Sequence, residues 1–179
     1  MDNARTDDNP QADALWCALY RLEAKYWYDV DFNGGCNAAK FYIASGVFAV
    51  GENQFEGRDR ITAFYAWRRR RGEASTRHVV SNLIVEQQAA DRAKAFGVIS
   101  IYRGTGRPPF RGKSAPALVA DLVSEWVREE DGVWRYAAHV LHPIFVGNDV
   151  PLSLAVDVRE LAAREQTLIA SDGTAQDQS

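Results

Sequence analysis

Two cysteines, Cys17 and Cys36, a single methionine and three histidines are all that 179 residues offer in soft or imidazole metal ligands. That is too little for a disulfide framework, and no Cys-x-x-Cys or close histidine pair with an acidic third ligand sets up a zinc site. No metal is expected. Long apolar runs are also missing: the longest, from Phe41 to Val50, contains Ser45 and Gly46 and is far too short to cross a bilayer. The opening residues, Met1 to Asp8, lack the basic and apolar regions of a signal peptide, so a soluble, cytoplasmic protein with no membrane partner is expected. An excess of one charge is the third absence. With a formal net charge of −3, nothing overall attracts a phosphate backbone, and nucleic acid is excluded as a partner. The run Arg68 to Arg71 reads instead as the cationic end of a helix before Gly72, where it complements the helix dipole.

What is present suits one core. A hydrophobic share of 46% with 11% aromatics is ample for a single domain and suggests an apolar pocket within it. Residues 1–10 and 171–179 read as polar, disordered tails around one domain at 11–170. From Asp13, the spacing of Leu15, Leu19, Leu22 and Tyr26 predicts an amphipathic helix, broken at Gly34-Gly35. Phe41 to Val50 reads as a helix running into a short strand. Ile61, Phe64, Tyr65 and Arg68 mark a second helix that Gly72 closes.

Beyond Gly72 the period changes, and residues 76–87, 92–104, 115–129 and 133–145 read as strands. Asp131-Gly132 is a hairpin signal, and the Gly- and Pro-rich loop from Arg103 to Pro116 is a candidate cavity rim. The fold class is therefore α+β, helices first and antiparallel strands after, with a sheet able to curl into an open-mouthed cone.

Four motifs carry a resemblance: Leu22-Glu23-Ala24-Lys25-Tyr26 followed by Asp31; Phe55 through Ile61; Thr76-Arg77-His78-Val79-Val80-Ser81-Asn82; and Asp131 through Tyr136. In this order they resemble the SnoaL-like branch of the nuclear-transport-factor-2-like superfamily. The resemblance implies a cone-shaped, curved antiparallel sheet closed by N-terminal helices, a deep pocket, and a homo-oligomer, dimer or trimer. It also implies cofactor-free chemistry at an Asp-His pair, as in scytalone dehydratase, and places Asp31 and His78 as that pair.

On the residues alone, His78 on a half-buried strand is a candidate general base, and strict alternation puts His78, Val80, Asn82 and Ile84 on one face. Helical geometry continues the Leu22, Tyr26 stripe to Asp29 rather than Asp31, so the two carboxylates remain rivals, and either could simply cap the glycine turn. His139 stands where the resemblance often has a cavity-facing arginine, and shares a face with Arg135 and Leu141. Tyr28, Trp67, Asn82, Tyr102 and His139 are the candidate substrate-binding residues, while Trp27, Tyr26, Phe48 and Trp126 are further aromatics that could line a pocket.

The function expected is a cofactor-independent lyase, a dehydratase or carbon–carbon lyase, acting on a small hydroxylated and aromatic molecule. The alternatives are an isomerase or cyclase of the same fold, or a non-catalytic small subunit of a ring-hydroxylating dioxygenase.

Overall fold

A computed structural model describes residues 9–72, 74–112 and 115–156. The spacing of apolar residues near Val156 to Leu168 predicts an amphipathic stretch, which lies outside the described residues except for Val156, as do the C-terminal tail at 171–179 and residues 1–8 of the N-terminal one.

Helix α1, Pro10–Phe32, starts where Asn9 accepts hydrogen bonds from the backbone N–H groups of Gln11 and Ala12, with Pro10 fitting the first turn. It stops at Gly34 and Gly35, both at positive φ, and the N–H of Gly35 returns to the carbonyl of Asp29. Gly35 is doubly required, since a β-carbon there would overlap the ring of Tyr65. The buried residues of α1 are Leu19, Glu23, Tyr26, Trp27, Asp29 and Val30, so two carboxylates, Glu23 and Asp29, are taken out of solvent.

A 3₁₀ turn at Ala38–Phe41 leads into strand β1, Tyr42–Val50, followed by β2, Asn53–Glu56. Helix α2, Gly57–Arg70, buries Ile61, Phe64, Tyr65 and Trp67 and ends in three arginines. Four long strands follow: β3 (Ala74–Ala89), β4 (Arg92–Thr105), β5 (Leu118–Arg128) and β6 (Trp134–Val146). A short helix, α3 (Leu152–Ala155), closes the described chain.

The α+β fold class holds: one curled six-stranded sheet, ordered β2-β1-β6-β5-β4-β3 and not closed into a barrel, with the two long helices drawn from the N-terminal part. Its pairing is antiparallel throughout except at β1 and β6, which run parallel. Two irregularities decide which side chains face inward. In β3 the register slips between Ser81 and Ile84, with Asn82 at a φ of 54°. The inward set therefore changes from Thr76, His78 and Val80 to Leu83 and Val85, leaving Asn82 and Ile84 exposed. In β6 an extra residue near Ala137 turns both Tyr136 and His139 inward. No helix among the described residues is long and apolar enough to cross a membrane.

Candidate active site

Asp31 and His78 come together across 47 residues of sequence, at the seam between the end of α1 and the start of β3. Oδ1 of Asp31 lies 2.6 Å from Nδ1 of His78 and accepts the hydroxyl of Thr76 at 2.8 Å. Oδ2 accepts the backbone N–H of His78, also at 2.8 Å. Three donors on one carboxylate fix its orientation, and the indole of Trp27 stacks on the imidazole at 4.1 Å with a 9° tilt, fixing the ring.

Burial works against the charge of Asp31, but the hydrogen bonds and charge of His78, together with the Thr76 hydroxyl, outweigh it and hold the carboxyl below its usual pKa. For His78 burial is the largest influence and wins: it pushes the imidazole below its ordinary value despite Asp31, helped by the positive charge of Arg68. Near neutral pH the pair is therefore carboxylate and neutral imidazole. An ionised carboxylate only accepts, so Nδ1 carries the proton and Nε2 keeps its lone pair. No hydrogen bond from a described residue occupies Nε2.

His78 stands on the wall of a cavity of about 290 Å³. Trp27, Phe48, Phe64, Val50, Ile101 and Leu141 form its apolar surface, and Asp31, Thr76, Tyr65 and three arginines, Arg68, Arg69 and Arg103, supply polar groups. Arg68 donates to Thr76 Oγ1 at 2.9 Å, giving a hydrogen-bonded chain Arg68, Thr76, Asp31, His78. Burial keeps the Tyr65 hydroxyl protonated by raising its pKa far above normal. No cluster of three potential metal ligands occurs among the described residues.

The rivalry between Asp29 and Asp31 resolves by role. Asp29 is the turn cap: its oxygens accept from the backbone and side chain of Asn37 and the side chain of Asn33. Asp31, in the last turn of α1, turns instead toward β3, where His78 and Thr76 meet it.

The five proposed substrate contacts do not reach the cavity wall. Tyr28 is 60% exposed and stacks on Phe32; it lines a second depression of about 320 Å³, which borders the other side of Trp27, Asp31 and His78. Trp67 is core, packed on Phe64. Asn82 is turned outward by the bulge. Tyr102 lies on the outer face of β4, since its neighbours Ile101 and Arg103 take the inner one.

His139 is fully enclosed, with Nε2 at 3.0 Å from Glu23 Oε1 and Nδ1 at 3.2 Å from the Tyr42 hydroxyl. With both nitrogens engaged and the ring enclosed, it does not reach the cavity. Its face is shared with Tyr136, on which it stacks at 4.4 Å, not with Arg135, which pairs outside with Glu129 and Asp131.

Sequence reasoning overlooked Thr76 and Arg103, although alternation within their strands carried the signal: Thr76 is two residues from His78, and Arg103 two from Ile101. It gave Arg68 and Arg69 only a helix-end role. Glu23 had no signal, because its partners Tyr136 and His139 are 113 and 116 residues away.

Residues 18–139 match the SnoaL-like domain family. No curated protein matches the chain. Among solved structures, a protein from Catenulispora acidiphila aligns with a TM-score of 0.65 at 16% identity, over 75% of this chain and 95% of that one. A protein named as a candidate scytalone dehydratase from Novosphingobium aromaticivorans gives 0.64 at 17% identity, over 76% and 89%. ActVI-ORFA from Streptomyces coelicolor gives 0.61 at 15% identity, over 72% and 97%. At such identities the likeness is one of fold.

Proposed function

From the premise that the chain belongs to the SnoaL-like domain family, whose members include dehydratase-like and polyketide-cyclase enzymes, we propose that it is a cofactor-independent lyase. Its substrate is a small hydroxylated, aromatic molecule, and its first step is proton abstraction by His78. The observation that carries this is the three-donor anchoring of Asp31 beside a neutral His78 on a cavity wall. Nε2 of His78 takes a proton from a carbon next to an activating group. The carbon–carbon double bond forms as the neighbouring carbon–oxygen bond breaks, and the hydroxyl leaves as water with the proton that His78 has carried. Asp31 stabilises the imidazolium that forms in between.

The apolar wall excludes water and strengthens these interactions, while the stack on Trp27 keeps the ring from turning away. A cavity near 290 Å³ lies at the low end of the roughly 300–1,000 Å³ of small-molecule sites, which favours one or two rings over a polycyclic substrate. Homo-oligomerisation belongs to the same proposal and is read by light scattering on the purified chain.

The test is incubation of the purified protein, without added cofactor, with a panel of hydroxylated one- and two-ring compounds, following conjugated product by absorbance. Turnover that falls at least tenfold in both His78→Ala and Asp31→Asn, and further in the former, supports the proposal. Turnover retained by both variants sinks it.

A further inference from the structure

Three guanidinium groups line the cavity, and among the described residues Asp31 is the one carboxylate that does. Both oxygens of Asp31 are already taken by His78 and Thr76. Arg68 is held by Thr76 Oγ1, and Arg69 donates to the carbonyl of Gly34 at 3.1 Å. The position of these two follows from the end of α2, where cations suit the helix dipole whatever the cavity does.

Arg103 is different. It comes from a strand, near the end of β4, has no dipole to answer, and its side chain makes neither a hydrogen bond nor an ion pair with a described residue. A guanidinium without a partner at an apolar cavity focuses positive potential into the space where a ligand binds.

The register fixes where that potential sits. Thr76 is paired with Arg103 and His78 with Ile101 across the β3–β4 ladder. Arg103 is thus the diagonal neighbour of His78 on the same inner face, about 7–8 Å away in an antiparallel pair.

We propose that the cavity takes an anionic substrate, a one- or two-ring carboxylate, whose carboxylate is received by Arg103 while its reacting carbon lies over His78. Arginine suits this task because its planar fork matches a carboxylate through two parallel hydrogen bonds. The proposal rests on the proton-abstraction reading for calling the anion a substrate, but the binding step does not.

Isothermal titration with 2-naphthoate and with its neutral isostere 2-naphthamide separates the charge from the shape. The wild-type protein is expected to bind the naphthoate about tenfold more tightly or better, a preference that shrinks as sodium chloride is raised. Arg103→Gln is expected to bring the two affinities within about twofold by weakening the naphthoate alone, with a thermal melt confirming that the variant is folded. His78→Ala keeps the preference while losing turnover, so failure of the base and failure of the anion site give different patterns. Equal binding by wild type, a preference that survives Arg103→Gln, or no binding of either probe overturns the proposal.

Discussion

Two histidine–carboxylate pairs lie on either side of Trp27, and they are built from the same chemistry for different ends. The indole face stacks on His78, while its N–H donates to Glu23 at 2.8 Å, the carboxylate that holds His139. The outer pair, Asp31 and His78, leaves one imidazole nitrogen facing a cavity. The inner pair is sealed. Glu23 accepts from Trp27, His139 and Tyr136, and the chain continues through Tyr42 to Tyr26 and on to Tyr65. Burial raises the pKa of Glu23, yet its three partners, His139 foremost, bring the carboxyl below its ordinary value, so it stays ionised in the core. Access, not residue type, separates the proposed base from a brace.

That contrast breaks first at His78. His78→Ala is expected to cost roughly 10²–10⁴-fold in turnover per folded molecule, the usual contribution of a general base, with a melting temperature close to wild type. Glu23→Ala should do the reverse. Removing one partner of a buried pair costs about 3–5 kcal/mol, so urea unfolding followed by tryptophan fluorescence should show a large loss of stability while the folded fraction still turns substrate over.

Asp31→Asn sharpens the outer pair. An amide cannot accept from all three donors at once, because one of its two heavy atoms must itself donate. The loss of a hydrogen bond to a charged group is worth about 1.5–3 kcal/mol, or roughly ten- to hundredfold in turnover measured at saturating substrate. Thr76→Val, nearly the same shape, removes only the hydroxyl between Arg68 and Asp31, and about 0.5–1.5 kcal/mol in stability or rate is expected.

The pH dependence follows from the direction of the two shifts. His78 is depressed below its ordinary 6.5, and only the neutral ring is a base, so kcat/KM should hold through that pH and fall on an acidic limb below it. Asp31 pulls the imidazole upward, so in Asp31→Asn the limb should move to still lower pH even as the rate drops. The linkage has the same sign. Both groups bind fewer protons in the folded protein, so their stabilisation is fully present above the unfolded pKa values and is lost as pH falls through the folded ones.

Much of this frame was legible in the chain. The long strands lie within a few residues of where β-rich segments and turn signals put them, and the glycine pair ends α1 as expected. Asp31 and His78 were reachable through motif order, although helical phase alone pointed to Asp29. The inner-face residues were not. A bulge at Asn82 and another near Ala137 each shift the alternation by one, and a one-residue slip moves every later side chain to the other face. That sent Asn82 outward and His139 into the core, against simple parity. Glu23 shows a second kind of blindness, because a carboxylate on an apolar stripe makes sense only with partners supplied by a distant strand.

Carbethoxylation of the folded protein by diethyl pyrocarbonate, read residue by residue by mass spectrometry, tests the contrast most directly. The reagent attacks unprotonated imidazole nitrogens that it can reach, and exposed His142 serves as the internal standard. The account predicts that His78 is modified, that its rate falls below pH 6.5, that activity disappears in step with it, and that His139 stays protected until the protein unfolds. Modification of His139 as fast as His78 in the folded protein, or full activity after His78 is carbethoxylated, would contradict it.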